Sequence, residues 1–292
     1  MDLPILCPVC RGALTYASPS FRCERGHTFD RSRRGYTNLL TGKAAGQHGD
    51  NAEMILARRA FLDGGSYAPL RDALCGAVRL RFPDGGVLLD AGCGECYYTD
   101  GVMTALSDRH PTGVGIDISR EALRYAGVRP SVKNGTLSLF VAGVYDMPLP
   151  DGSVDAVLNC FAPLATEEYL RVLKPGGTLH LAIPAEDHLW ELKEVLYDTP
   201  YQNQVADFSL PGFDTPTVQP IRTVFTLHGQ KEIGHLFAMT PYYYRTPKGG
   251  RARLASLDRL SVRAAFYLLS YRKAREISPL TDGENCSTIN VS

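Results

Sequence analysis

Between Gly85 and Gly101 the chain reads GGVLLDAGCGECYYTDG: an apolar run from Val87 to Leu89, an acid at Asp90, glycines at 92 and 94, then Tyr97 and Tyr98. No other stretch constrains the fold as tightly. The apolar run predicts a buried strand, the glycines a turn whose backbone passes close to a ligand, and the tyrosines the start of a helix. In open α/β sheets such a turn lies at the carboxyl end of a strand, where cofactors bind.

The segment GVGID ends a second strand at Asp117, about twenty residues on, where an acid reads a ribose hydroxyl in both dinucleotide and S-adenosylmethionine folds. The dinucleotide fingerprint wants glycine at its first, third and sixth positions, and counting from Gly92 the sixth is Tyr97. That side chain blocks the close helix contact a pyrophosphate needs. Downstream, SLFVAGVYDMPLPDGSVDAVLNCFAP gives a third strand, an acidic Pro-rich turn and a fourth strand from Val154 to Cys160. EEYLRVLKPGGTLHLAIP then gives a helix, a Pro-Gly-Gly turn and a fifth strand. Strands alternating with helices predict a parallel, doubly wound α/β sheet, preceded by a helical region from Ala52 to Phe82. The Pro-interrupted stretch from Tyr197 to Val218 is long for a connection and reads as a lid.

Ahead of this region stands Cys7-x2-Cys10-x12-Cys23-x3-His27. The spacing suits a tetrahedral zinc ion, with two thiols on a knuckle and the second pair returning after a short hairpin. Four nitrogen and sulfur ligands leave no open position, so the zinc is expected to be structural. It would stabilise a segment too small to fold by burial alone.

The formal net charge is zero, but its distribution is uneven. Residues 1–45 carry seven basic against three acidic side chains, and residues 245–276 nine against two, so both stretches read as phosphate-seeking. With 44% hydrophobic and 21% charged residues, the 292-residue chain can bury a large core. The eight cysteines do not form a small secreted framework, no apolar run reaches the roughly 20 residues of a membrane span, and no leader pattern precedes Cys7. Free thiols, no membrane contact and a cytoplasmic location are therefore expected. The organisation expected is a zinc module over 1–43, a glycine-dotted connector opening a catalytic domain over 44–276, and a disordered tail over 277–292 that carries Cys286.

From Val87 to Pro184 the ordered series of motifs, closed by LKPGG, resembles the class I S-adenosylmethionine-dependent methyltransferases. The zinc motif, FDRSRRGYTNLL, GDNAEMILARRAFLDGGSYAPLRDAL, DAGCGECYYT, CFAPLATEEYLRVLKPGG and HLWELKE together resemble the RlmA family, the 23S ribosomal RNA (guanine-N1)-methyltransferases. The resemblance implies transfer of a methyl group from S-adenosylmethionine to N1 of a guanine in a large-subunit RNA hairpin loop. It also implies zinc on Cys7, Cys10, Cys23 and His27 within an RNA-recognition module. Cofactor contacts carry over to Tyr67, Gly94, Glu95 and His188, and Asp90, Gly92, Tyr97 and Asp117 complete the expected set. Asn159, at the end of the fourth strand, is the weak catalytic candidate, able equally to cap the strand; the general base is left unassigned.

Two positions depart from the pattern. Cys96 stands where the family has a third glycine, and Gly143 stands where many class I enzymes place an acid for the adenine amino group. A small-molecule methyltransferase and a non-enzymatic RNA-binding protein remain as alternatives, and the oligomeric state, a homodimer included, is open.

Overall fold

The computed structural model describes residues 4–41, 51–205 and 207–274. The connector from 42 to 50 and the tail expected to be disordered, with Cys286, lie outside the described residues. At the N-terminus, β1 (Thr15–Ala17), β2 (Ser20–Arg22) and β3 (Thr28–Asp30) form an antiparallel sheet. The chain then gives β4 (Tyr36–Asn38), α1 (Ala52–Asp63), α2 (Ala68–Arg79), β5 (Val87–Ala91), α3 (Tyr97–Ala105), β6 (Thr112–Asp117), α4 (Arg120–Ala126), α5 (Pro130–Lys133) and β7 (Leu137–Val141). It continues with β8 (Val154–Cys160), α6 (Thr166–Val172), β9 (Leu173–Pro184), α7 (Trp190–Leu196), β10 (Thr217–His228), α8 (Gly229–Ala238), α9 (Tyr242–Arg245), α10 (Lys248–Ala255) and β11 (Arg259–Arg272).

The large sheet has the order β10-β11-β9-β8-β5-β6-β7-β4. Strands β4 to β9 pair in parallel, and the order reverses between β5 and β8. That reversal opens a crevice at the strands' carboxyl ends, which is where the glycine turn after β5 lies. The central strands are apolar because helices cover both faces: Leu88, Leu89, Val114, Ile116, Val157 and Leu158 are fully buried. Local caps fix helix starts, with the Asn51 side chain accepting from Met54 N (2.9 Å) and Ser119 Oγ from Ala122 N (3.1 Å).

The five strands read from the sequence, β5 to β9, pair in parallel as expected, and two further strands extend the sheet by antiparallel pairing. β11 runs antiparallel to β9, and β10 antiparallel to β11, making a mixed sheet. In β11 the residues Val262, Ala264, Phe266 and Leu268 are buried, while arginines at 259 and 263 point outward. The expected phosphate-seeking stretch is accordingly part strand, and it is partly neutralised: Arg263 pairs with Asp187 (3.2 Å) and Glu191 (3.6 Å), and Arg253 with Asp198 (2.9 Å).

The N-terminal region is welded to the sheet. β4 pairs with β7, and Ile5, Cys7, Leu14, Phe21 and Leu39 join the same apolar cluster as Leu89, Ile116 and Phe140. Phe21 and Phe140 meet edge to face at 5.3 Å, and a Cβ on Gly127 would lie 2.0 Å from the Arg34 carbonyl oxygen. No helix among the described residues is long and apolar enough to cross a membrane.

Candidate functional site

The zinc motif converges. The first knuckle closes with Arg11 N donating to Cys7 O (2.8 Å) and the second with Gly26 N donating to Cys23 O (2.9 Å). The ligand atoms of Cys7, Cys10, Cys23 and His27 lie within 4.8 Å of one another. Cys7 Sγ and Cys23 Sγ stand 3.6 Å and 3.3 Å from His27 Nδ1, and the sulfurs of Cys10 and Cys23 are 3.7 Å apart. A tetrahedron with Zn–S near 2.3 Å and Zn–N near 2.0 Å has edges of roughly 3.5–3.8 Å, so the residues fit the ion. Desolvation works against the Cys23 thiolate, yet the amide and ring of His27, together with Cys10 and Arg25, bring its pKa down to about 6. That is the ionisation a metal ligand requires.

A cavity of about 1380 Å³ runs along the carboxyl ends of β5 to β8. Tyr67, Asp90, Gly92, Gly94, Glu95, Tyr97, Asp117 and His188 all line it. Gly92 (φ +88°) is a glycine by necessity, since a Cβ there would come 2.4 Å from Ala162 Cβ; the turn after β5 abuts the turn after β8. Asp117 holds the glycine turn open toward β6: its Oδ2 accepts from Gly94 N (2.8 Å) and its Oδ1 from Ser119 N (2.7 Å).

Asp90 is buried, with Oδ2 accepting from Thr99 Oγ1 at 2.5 Å and Oδ1 without a partner among the described residues. Burial, with help from neighbouring Asp117, raises its pKa to about 7. Glu95 is buried against Arg129, whose Nη2 and Nε (3.1 Å) donate to Oε2, while Oε1 has no partner among the described residues. Burial raises Glu95 despite this ion pair. Two unpartnered carboxylate oxygens in one cavity suit a ligand that brings an ammonium or hydroxyl groups. S-adenosylmethionine brings both.

Tyr67 and His188 form the opposite wall. The Tyr67 hydroxyl meets His188 Nε2 at 3.3 Å, and His188 Nδ1 faces the Ala265 backbone, 3.0 Å from its oxygen. Burial brings the His188 pKa down to about 4, so the ring is neutral. The Tyr97 hydroxyl accepts from Arg71 Nη1 (3.4 Å), with the guanidinium of Arg71 lying over its ring.

Asn159 does not reach the cavity, which corrects its catalytic candidacy. The residue is fully buried, its Nδ2 donates to Pro163 O (3.0 Å) and Tyr169 Oη (2.6 Å), and its Oδ1 accepts from Ala162 N (3.1 Å). Its amide is wholly engaged in fixing the turn after β8. Gly143 lines the cavity with open space where a Cβ would stand. Cys96 does have φ +65°, but its side chain is buried in the cluster of Leu123, Ala126, Val132 and Leu137, away from the cavity. It therefore does not crowd a ligand.

Sequence reading missed part of the lining. Arg11 and Thr41 reach the cavity from the N-terminal region, Tyr98 and Phe161 from beside the glycine turn, and Asn203 and Arg245 from the C-terminal half. Arg11 directly follows the first zinc knuckle, with φ +58°. Asn203 belongs to the stretch read as a lid, and it is tethered: Lys193 Nζ donates to its Oδ1 (2.8 Å) and its Nδ2 donates to Ala185 O (2.7 Å).

Residues 5–43 match the family described as RlmA, N-terminal, which is a zinc ribbon, and residues 89–181 match a methyltransferase domain. The chain is 35% identical over 262 residues to the 23S rRNA (guanine(748)-N(1))-methyltransferase of Streptomyces fradiae, covering 86% of this chain and 90% of that one. Two further relatives carry the name 23S rRNA (guanine-N(1)-)-methyltransferase by assignment. The one from Micromonospora griseorubida is 37% identical, covering 91% of this chain and 96% of its own. The one from Bacillus subtilis (strain 168) is 35% identical, covering 83% and 87%. With the zinc ribbon, the methyltransferase domain and near full-length likeness in one chain, it belongs to the RlmA family of 23S rRNA (guanine-N1)-methyltransferases.

Proposed function

We propose that this protein transfers a methyl group from S-adenosylmethionine to N1 of a guanine in a hairpin loop of 23S ribosomal RNA, in the cytoplasm. One observation carries the reading beyond family likeness. Pro8 and Arg11 of the zinc-ligand hairpin line the same cavity as Asp90 and Asp117, so an RNA held by the 1–43 module is delivered to the cofactor face of the 44–276 domain.

S-adenosylmethionine supplies the methyl group on its sulfonium. Gly92 and Gly94 would let it approach the backbone closely, Asp117 would hold its ribose hydroxyls, and Asp90 and Glu95 would take its remaining polar groups. Tyr67, Tyr97 and His188 supply a neutral wall. Transfer to a ring nitrogen needs in-line positioning and exclusion of water, and the tethered segment at Tyr201 and Asn203 closes one side of the cavity. Guanine N1 carries a proton on the pairing edge, so the base must be unpaired or flipped out, which a loop guanine satisfies.

The test is methyl transfer from labelled S-adenosylmethionine to hairpin transcripts of 23S RNA, with the product nucleoside identified by mass spectrometry. The expected product is 1-methylguanosine. Methylation at another guanine atom, or of small molecules alone, overturns the reading.

A further inference from the structure

The basic stretch over 245–276 reads as phosphate-seeking, but most of it is engaged within the protein. Arg253 and Arg263 are in ion pairs, and Arg251 lies over the rings of Tyr243 (5.1 Å) and Phe237 (5.5 Å). Arg272 and Lys273 donate to the carbonyls of Gly176 (3.4 Å) and Leu170 (2.7 Å). Arg245, at the end of α9, is different. It is exposed, it lines the large cavity, and it forms no ion pair among the described residues.

Tyr201, in the stretch read as a lid, lines the same cavity and is 49% exposed. A fully buried lysine joins it to α9. Lys193 Nζ donates to Tyr201 O (2.9 Å) as well as to Asn203, and stands 4.9 Å from the Tyr201 ring centroid and 5.7 Å from that of Tyr242, at the start of α9. It pairs with no carboxylate among the described residues. Burying an ammonium without a counter-ion is unfavourable, and what it secures here is the placement of an exposed ring and of the helix that carries Arg245. Tyr197 packs against both rings, 5.6 Å from Tyr201 and 6.2 Å from Tyr242.

The sheet separates this pair from the zinc-binding end. Asn203 N donates to Glu186 O (3.0 Å), just beyond β9, whereas Arg11 meets Asp146 (3.1 Å), just beyond β7. In the order β9-β8-β5-β6-β7 those two strands are four spacings apart, roughly 19 Å at about 4.8 Å each. One cavity therefore has an arginine near each end. We infer that Tyr201 and Arg245 form a second RNA contact, a rim that takes one unpaired loop nucleotide other than the methyl acceptor, its base stacked on Tyr201 and its phosphate on Arg245.

Stacking on an aromatic ring suits any base, and a guanidinium suits a phosphate, so the pair matches single-stranded RNA. A single ring offers too little apolar area to hold a protein partner. Lys193 is the positioning residue of the rim, since it fixes the ring and the helix without reaching the nucleotide. The inference rests on the RNA reading above, and it adds a second place where the RNA is held.

The experiment compares the wild-type protein with Tyr201→Ala, Tyr201→Trp, Arg245→Ala and Lys193→Met, with zinc content and melting midpoint as folding controls. It measures hairpin affinity across a salt series, S-adenosylmethionine affinity by calorimetry, and fluorescence of hairpins carrying 2-aminopurine at each loop position in turn. Tyr201→Ala weakens hairpin binding about fivefold to hundredfold with the salt slope unchanged, and Tyr201→Trp restores it. Arg245→Ala flattens the slope of log affinity against log salt by roughly 0.7, the share of one single-strand phosphate. Lys193→Met costs about as much as Tyr201→Ala, and combining the two costs little more, a coupling that a general loss of stability does not produce. The wild-type protein quenches 2-aminopurine at one loop position other than the methylated one, and Tyr201→Ala does not. Cofactor affinity stays within twofold in both surface variants, which decide the rim even if Lys193→Met fails to fold. Unchanged hairpin affinity in Tyr201→Ala overturns the stacking contact, and an unchanged salt slope in Arg245→Ala overturns the phosphate contact. An equal loss of cofactor affinity, or a 2-aminopurine signal lost at the methylated guanine, overturns the rim as a separate site. If the wild-type protein forms no 1-methylguanosine, the activity reading fails and hairpin affinity judges the rim alone: a loss in Tyr201→Ala upholds it, and no loss or no binding overturns it.

Discussion

The chain carries the spacing Cys-x2-Cys twice, at Cys7 and Cys10 and again at Cys93 and Cys96, and the two pairs have opposite characters. The first is joined by Cys23 and His27 across a hairpin, in a setting that brings the Cys23 pKa down to about 6. The second closes the glycine turn, with Cys96 N donating to Cys93 O (2.9 Å), and both side chains enter the apolar cluster beneath α4. Burial, and then the neighbouring Cys96, pushes the Cys93 thiol well up. Spacing alone does not make a metal site. What does is a second ligand pair returned by the fold, and backbone amides that favour the thiolate.

Substitution at one cysteine in each pair gives the largest expected contrast. Cys23→Ser loses bound zinc, and because Cys7, Cys23 and Phe21 share a cluster with the sheet, it lowers the thermal midpoint of the whole protein. Cys93→Ser keeps one zinc per chain. Metal content by atomic absorption, read with a melting curve, decides this, and zinc loss in both variants would break the distinction.

A smaller effect is expected where the glycine turn is held by a carboxylate. Asp117→Ala removes acceptors for Gly94 N and Ser119 N, and S-adenosylmethionine affinity should fall about tenfold to a hundredfold with zinc content unchanged. Calorimetry checks the first and metal analysis the second. A parallel loss of zinc would show that the two sites are not separable.

Buried histidines in the sheet and at the cavity wall also set an acid response. Burial brings His180 and His188 down to about 4, below the unfolded value near 6.5, so between those limits the unfolded chain binds the extra protons. Each histidine therefore removes stability as pH falls through that window. Asp90, raised to about 7 from 3.8, acts the opposite way and loses stability as pH rises through the same window. Two histidines against one carboxyl leave a net slope of roughly 1.4 kcal/mol per pH unit, with stability higher at higher pH. Asp90→Asn should about double that slope, and denaturant midpoints between pH 4.5 and 6 measure it. An unchanged slope would mean that Asp90 is ionised in the folded protein.

The smallest effect is expected at Cys96. Glycine there relieves left-handed strain of about 1–2 kcal/mol but removes a buried thiol from the cluster of Leu123 and Leu137, a comparable loss. Stability should change by less than about 1 kcal/mol and cofactor affinity by less than twofold. A tenfold gain in affinity would place Cys96 against the ligand after all.

Much of the parallel half was legible because its signals are local. β8 begins and ends at the residues read from the apolar run, and the glycine turn, Asp117 and the zinc ligands announce themselves by spacing. β10 and β11 escaped because their outward arginines and Pro220 mask an alternation that only the partner strand makes meaningful. Phe161 escaped for a different reason: its exposure and backbone strain depend on Asn159, and nothing in NCFAP marks which of the two residues faces the cavity.

Strand β4 has a practical consequence. Residues 36–38 form the outermost parallel strand, with Tyr36 beside Leu139 and Asn38 beside Val141. Cutting the chain after residue 43 to isolate a catalytic fragment would strip that strand and leave β7, from Leu137 to Val141, as a bare edge open to pairing between molecules. Such a fragment is expected to self-associate through β7. Its inactivity would then report aggregation and say nothing about how RNA is read.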